Sequence, residues 1–142
     1  MSELIDLADA LVSELNDGDF SQEFTAVRTY VPEYSLEELE TLRVTVLPKA
    51  QEVSPLTRGA DVWQPAADIG VQRRVDNSTN VDADALVALV QEIIDALRRA
   101  RLEDYPDGRW VSAVNEPIYD PAQLREQQVF TSVITVTYES VR

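Results

Sequence analysis

The sequence predicts an α+β domain in which a mostly antiparallel sheet of about four or five strands carries two main helices. Three observations predict this fold: a long alternating strand at residues 129–141, two amphipathic helical segments, and strand patterns separated by tight turns. A chain of 142 residues is typical of one domain, so we predict a single domain over residues 1–142.

The strongest strand signal is Val129–Val141. Phe130, Ile134 and Tyr138 fall on one side of the alternation, and mostly threonine and valine fall on the other. Because the segment contains no glycine or proline, we expect it to lie in the interior of the sheet.

Two segments have the periodicity of amphipathic helices. Residues 2–16 begin at Ser2, a good N-cap, and place on one face Leu4, Ile5, Ala8, Leu11, Val12 and Leu15. Residues 81–102 have a broader apolar stripe made of Leu86, Leu89, Val90, Ile93, Ile94 and Leu97. Basic residues at the end of this second helix complement the helix dipole, so the arginines there need no ligand to explain them.

The segment 42–75 predicts one long β-hairpin with its tip near residues 54–60. We expect Pro48 to interrupt the ladder, so that this side of the strand faces an edge or a bulge, and we expect a break at Pro65. The tip is expected to project beyond the core, either as a contact surface that includes Arg58 and Trp63 or as a solvated loop. The remaining segments are predicted as a strand at 24–31, a helical turn after Ser35 with capping-box spacing, a strand at 110–115 and a helical turn at 121–125.

The composition restricts the possible functions. The net charge is −14, and residues 1–42 contain eleven acidic residues against one basic residue, Arg28. Such a surface repels phosphate backbones, which disfavours nucleic-acid binding. The chain has no cysteine and no histidine, so the commonest general base and the commonest metal ligands are missing. No apolar run is long enough for a membrane span, and the acidic N-terminal segment is unlike a signal peptide, so we expect the protein to be made and kept in the cytoplasm.

Acidic pairs are the main candidates for chemistry. Paired carboxylates hold divalent cations or divide acid and base roles, and the chain has three such pairs: Asp17 with Asp19, Asp82 with Asp84, and Asp104 with Asp107. Each also has an ordinary explanation in a turn or at a helix start, which we prefer. Lys49, the single lysine, is interpreted as a solvated charge at a strand edge. We therefore expect no catalytic residue, metal or cofactor.

The stretch Asn115–Tyr138 resembles the C-terminal part of small acidic proteins from tailed phages. It joins a proline-rich segment to Leu-Arg-Glu-Gln, then Phe-Thr-Ser and an alternating strand. Phe24–Arg28, Leu42–Lys49 and the order of helix, hairpin and long helix support the resemblance. By architecture it extends over most of the chain, and the whole resembles tail terminator, or tail completion, proteins of long-tailed phages.

The resemblance implies a structural virion protein that acts by assembly, in a homo-hexameric ring at the head–tail junction between the tail tube protein and a neck or connector protein. DNA is expected to pass through an acid-lined pore without specific binding. For such a ring we expect interfaces on the hairpin 42–75, the final strand and the segment 115–128, with contact residues Arg58, Trp63, Pro65, Tyr119, Leu124 and Arg125.

Three alternatives remain at this stage. The first is another neck, head-completion or minor tail protein of the same virion. The second is a small metal-dependent enzyme that uses clustered aspartates, and the third is a cytoplasmic decoy whose acidity mimics DNA.

Overall fold

A computed structural model describes residues 2–142, which form a five-stranded sheet with helices packed on it. The elements, in chain order, are α1 (Glu3–Asp17), β1 (Ala26–Arg28), a 3₁₀ helix (Glu38–Glu40), β2 (Arg43–Thr57), β3 (Ala60–Arg74), α2 (Val81–Arg99), β4 (Arg109–Asn115), α3 (Pro121–Gln127) and β5 (Val129–Val141). This arrangement confirms the predicted α+β class.

The strand order is β1-β2-β3-β5-β4. Three of the four pairings are antiparallel, and the fourth, between β1 and β2, is parallel. The predicted strand at 24–31 was too long, since only residues 26–28 pair. Phe24 instead packs beside Phe20, with ring centroids 5.4 Å apart, and after Arg28 the chain must cross over to enter β2 in the same direction. We call this connection, residues 29–42, the crossover.

β5 lies between β3 and β4, as expected for an interior strand. The alternation predicted from sequence is confirmed, because one side of the strand is buried throughout at Phe130, Ser132, Ile134, Val136, Tyr138 and Ser140. The apolar members of this row belong to a single core cluster that also contains the buried faces of α1 and α2. Both main helices therefore cover one face of the sheet, and we call the opposite side the open face.

The helices begin where the capping signals predicted. The Ser2 hydroxyl accepts a hydrogen bond from the Ile5 amide at 3.2 Å, and Asp120 caps α3 through two backbone amides. The buried face of α1 is rotated from the predicted one: Leu7 is fully buried, whereas Ile5 is 36% exposed. α2 ends at Arg99 rather than at residue 102, because the chain turns to bury Leu102 in the core.

The hairpin is continuous through its prolines, so the predicted break at Pro65 is wrong, whereas the edge or bulge predicted at Pro48 is confirmed. The Thr29 amide donates to the Val46 carbonyl, so the backbone of Val46 points away from β3. Because backbone direction alternates along a strand, the backbone of Pro48 also points away from β3. The missing N–H of Pro48 therefore costs no hydrogen bond between β2 and β3. The backbone of Asp61 exchanges two hydrogen bonds with Arg142, so it points away from β2. Pro55, which lies opposite Asp61 on β2, therefore also points its backbone outward. A bulge at Lys49 adjusts the register.

We expect Leu11→Ala to lower the free energy of unfolding by about 2–5 kcal/mol, because Leu11 is fully buried in the core. The matched control is Ile5→Ala on the same helix, which should cost less than about 1 kcal/mol because Ile5 is partly solvated. Urea denaturation measures both. Equal losses would show that the helix packs on the face predicted from sequence instead.

Candidate assembly surfaces

The longest run of exposed residues within 2–142 lies in the outer half of the hairpin, residues 49–66, which we call the distal hairpin. On β2 every residue from Lys49 to Gly59 at the turn is exposed, including the apolar Val53 and Leu56. The turn itself is tight, with Gly59 at φ +94°, a conformation that suits glycine. The predicted tip at 54–60 is thus confined to residues 57–60.

The two strands of the distal hairpin have different neighbours. β5 accompanies β3 nearly to the turn, through Trp63↔Ser140 and the paired backbones of Asp61 and Arg142. β2 pairs with β1 only at residues 44–46, so within the described chain no strand lies on its outer edge beyond that point. A sheet edge of this kind is a ready site for pairing with another chain.

At the other end of this edge, a side chain replaces a neighbouring strand. The Asn16 amide nitrogen donates to the Ala26 carbonyl at 3.1 Å, and the Ala26 amide donates back to Asn16 Oδ1 at 2.7 Å. The Asn16 side chain thus satisfies both outward backbone groups of Ala26, which is itself 2% exposed. Strand addition is therefore blocked at β1 and left to the distal part of β2.

The interface residues predicted in the hairpin lie in different environments. Arg58 is exposed at the turn. Trp63 is half-buried, with the Arg142 guanidinium carbon 4.3 Å from its ring centroid. Pro65 is buried within the chain, which removes it from the candidate contact residues.

Arg142, which covers Trp63, also binds Glu3 at 2.9 Å. The Glu3 carboxylate accepts further hydrogen bonds from the hydroxyls of Tyr105 and Ser140. Burial, and then the contact with Glu3, raise the pKa of Tyr105. This cluster fastens α1 and the 100–108 turn to the end of β5, so Trp63 is held by its own chain.

The proline-rich arm, residues 115–128, is bound to its own domain at both ends. Glu116 and Pro117 exchange backbone hydrogen bonds with Val133. At the other end Leu124 is half-buried against the core, and its carbonyl accepts from the Asn77 amide at 2.9 Å. Tyr119 is 44% exposed and Arg125 is exposed, so these two of the three predicted residues face solvent.

The predicted acidic pairs lie at exposed or partly exposed turns and helix starts. Asp82 accepts a hydrogen bond from the Asp76 amide at 2.9 Å and so closes the turn before α2. The hydroxyl and amide of Ser78 lower the pKa of Asp76 in the same turn. Among residues 2–142, no group of three or more His, Cys, Asp or Glu side chains is placed to hold a metal ion.

Lys49 is half exposed, as the sequence indicated, but it has partners on the open face. Its ammonium lies 3.6 Å from the Asp68 carboxylate and 3.2 Å from the Thr135 hydroxyl. Thr135 in turn donates to Asp68 at 2.5 Å. Farther along this face, Gln64 donates to Glu139 at 3.1 Å. The open face is thus a polar surface in which side chains are linked across β2, β3 and β5.

No helix in the described range is both long and apolar enough to cross a bilayer.

No family model matches the sequence, and no curated protein matches it. The solved structures that match include a cryo-electron-microscopy structure of the sheath/tube terminator of PVC, an extracellular contractile injection system, in the extended state. The two chains are 12% identical and superpose with a TM-score of 0.49, over 97% of this chain and 56% of that one. This chain therefore spans little more than half the length of that terminator.

We expect Asn16→Ala to lower the free energy of unfolding by about 1–3 kcal/mol, because two buried backbone groups of Ala26 lose their partners. Asn80→Ala is the matched control: Asn80 precedes α2 without a side-chain capping bond, and the change should stay within about 0.5 kcal/mol. Chemical denaturation with hydrogen exchange at Ala26 tests this. Unchanged protection of the Ala26 amide would contradict the assignment.

Proposed function

We propose that this chain is a structural virion protein, a tail terminator that forms a homo-oligomeric ring at the head–tail interface of a tailed phage. It acts by assembly and not by catalysis: it caps the tail tube and presents a docking surface to the neck. The observation that carries the proposal is the distal hairpin. Its β2 strand, exposed over Lys49–Gly59, contributes little to the core and displays a free backbone edge together with Val53 and Leu56.

The distribution of charge supports an assembly in which like surfaces are kept apart. The segment 43–59 has three basic residues and one acidic residue in a chain of net charge −14. An edge whose net charge is opposite in sign to that of the rest of the molecule attracts a different, acidic surface of the next subunit and repels the same edge of that subunit. Contacts between two different surfaces generate rings when the rotation closes, which fits a terminator.

The acidic N-terminal third supports a role beside DNA. Residues 1–42 form α1, β1 and the crossover, and we call the surface that they contribute the acidic side. A pore wall that passes DNA must not bind phosphates, because each phosphate neutralised by a cation adds affinity. We propose that this acidic side faces the lumen.

Val53→Asp should convert the assembly to monomers, because a carboxylate buried in a subunit contact would be desolvated without a partner. Val87→Asp is the matched control, since the two valines are 45% and 43% exposed and Val87 lies on α2, away from the hairpin. Mass photometry gives the subunit number, and circular dichroism checks the fold. A ring that survives Val53→Asp as well as Val87→Asp would contradict the proposed use of the hairpin.

Charge reversal tests the proposed lumen. Replacing the exposed Asp17, Asp19 and Glu33 with lysine should leave the ring assembled but cause salt-dependent DNA binding and reduce DNA delivery by the particles. The control reverses three exposed acids of another turn, Glu103, Asp104 and Asp107. Unchanged infectivity of the first variant, or equal defects in both, would count against an acid-lined pore.

A further inference from the structure

The open face contains a small cavity of about 170 Å³ beneath the crossover. Pro32 of the crossover forms one side, and the sheet provides the rest through Thr45, Leu47, Asp68, Gly70, Gln72, Thr131 and Val133. The cavity exists because of a glycine: a Cβ on Gly70 would stand 3.0 Å from the Thr45 hydroxyl oxygen. The cavity therefore depends on a position where the sheet has no side chain.

The Thr45 hydroxyl lines this cavity without a partner. Thr45 is 1% exposed, and its Oγ1 makes no hydrogen bond to any group of residues 2–142. Buried polar atoms are nearly always satisfied, so an orphaned hydroxyl on a cavity wall is a candidate contact for a group that enters the cavity. A group that enters the cavity and donates to this oxygen would offset the cost of burying it alone.

The polar atoms around the cavity favour a ligand that donates hydrogen bonds. Asp68 contributes a carboxylate. The Gln72 side-chain nitrogen donates a hydrogen bond to the Thr131 hydroxyl at 3.4 Å, which leaves the Gln72 side-chain oxygen as an acceptor. A single carboxylate, already shared with Lys49, is too few for a divalent cation. A guanidinium group fits best, because it donates in several directions and is weakly hydrated enough to lie against Pro32, Leu47 and Val133.

We propose that this cavity receives the Arg58 side chain of a second copy of the chain. Arg58 lies at the hairpin turn, beside a glycine whose Cβ would meet no described atom within 4 Å, so the turn extends into open space. Arg58 makes no ion pair within residues 2–142, and the Asp68 carboxylate, which it would share with Lys49 at 3.6 Å, supplies the complementary charge. Hairpin turn and cavity are different surfaces, so the contact is head-to-tail. The inference rests on the homo-oligomer proposed above.

Thr45→Val separates this role from a purely structural one. The variant keeps the shape of the side chain and removes the orphaned hydroxyl, so the midpoint of thermal unfolding of the dilute monomer should rise. Association between copies should weaken, because the entering guanidinium loses an acceptor. A variant that is more stable and assembles as well as the wild type would overturn the proposal.

Arg58→Ala should weaken self-association at least about tenfold, and Arg58→Lys should give an intermediate loss because lysine lacks the planar fork. Arg99→Ala is the matched control, an exposed arginine at the end of α2 on the other side of the sheet, and should assemble normally. Sedimentation velocity over a concentration series measures all three. Full assembly of Arg58→Ala overturns the proposed occupant while leaving the ring intact, whereas a wild-type chain that stays monomeric overturns both.

Methylguanidinium tests the cavity without a second copy. Added to monomeric Arg58→Ala, it should shift the amide resonances of Thr45 and Gly70, and Thr45→Val in the same background should weaken that response. Shifts confined to other acidic sites would overturn the assignment of the cavity.

Discussion

The insertion of β5 between β3 and β4 is the constraint on which the rest of the structure depends. One side of β5 is buried along its length, and its apolar residues join α1 and α2 into one core. The same strand extends beside β3 to the hairpin turn, where Arg142 pairs with Asp61. The core and the support of the distal hairpin thus share a cause, because the last residues of β5 pair with β3 and leave the outer edge of β2 free.

Much of the fold could be predicted from local patterns. The alternation at 129–141, the Ser2 and Asp120 caps and the capping box at Ser35 and Glu38 are local signals that no distant contact overrode. The continuity of the hairpin through its prolines has a distant cause. Whether Pro48 breaks a strand depends on which way its backbone points, and that direction follows from the pairing of β1 with β2, which the sequence does not display.

The candidate sites were less predictable for the same reason. The contacts of Asn16 with Ala26 and the closeness of Thr45 to Gly70 arise from crossover and strand register, and a lone asparagine or glycine carries no signal of them. Exposed residues such as Arg58 and Tyr119 could be selected from composition. Burial could not be predicted from composition, so the predicted contact residues include Pro65 and Leu124, although both pack within their own chain.

The prolines of β2 have a consequence for selectivity. Pro48 and Pro55 both direct their backbones outward, and between them alternation leaves the outward N–H groups of Gln51 and Val53. A partner strand that shifts by two residues meets a proline and loses a donor. A strand that pairs with the free edge can therefore do so in few registers, which makes this edge a poor template for the indefinite stacking that leads to fibrils.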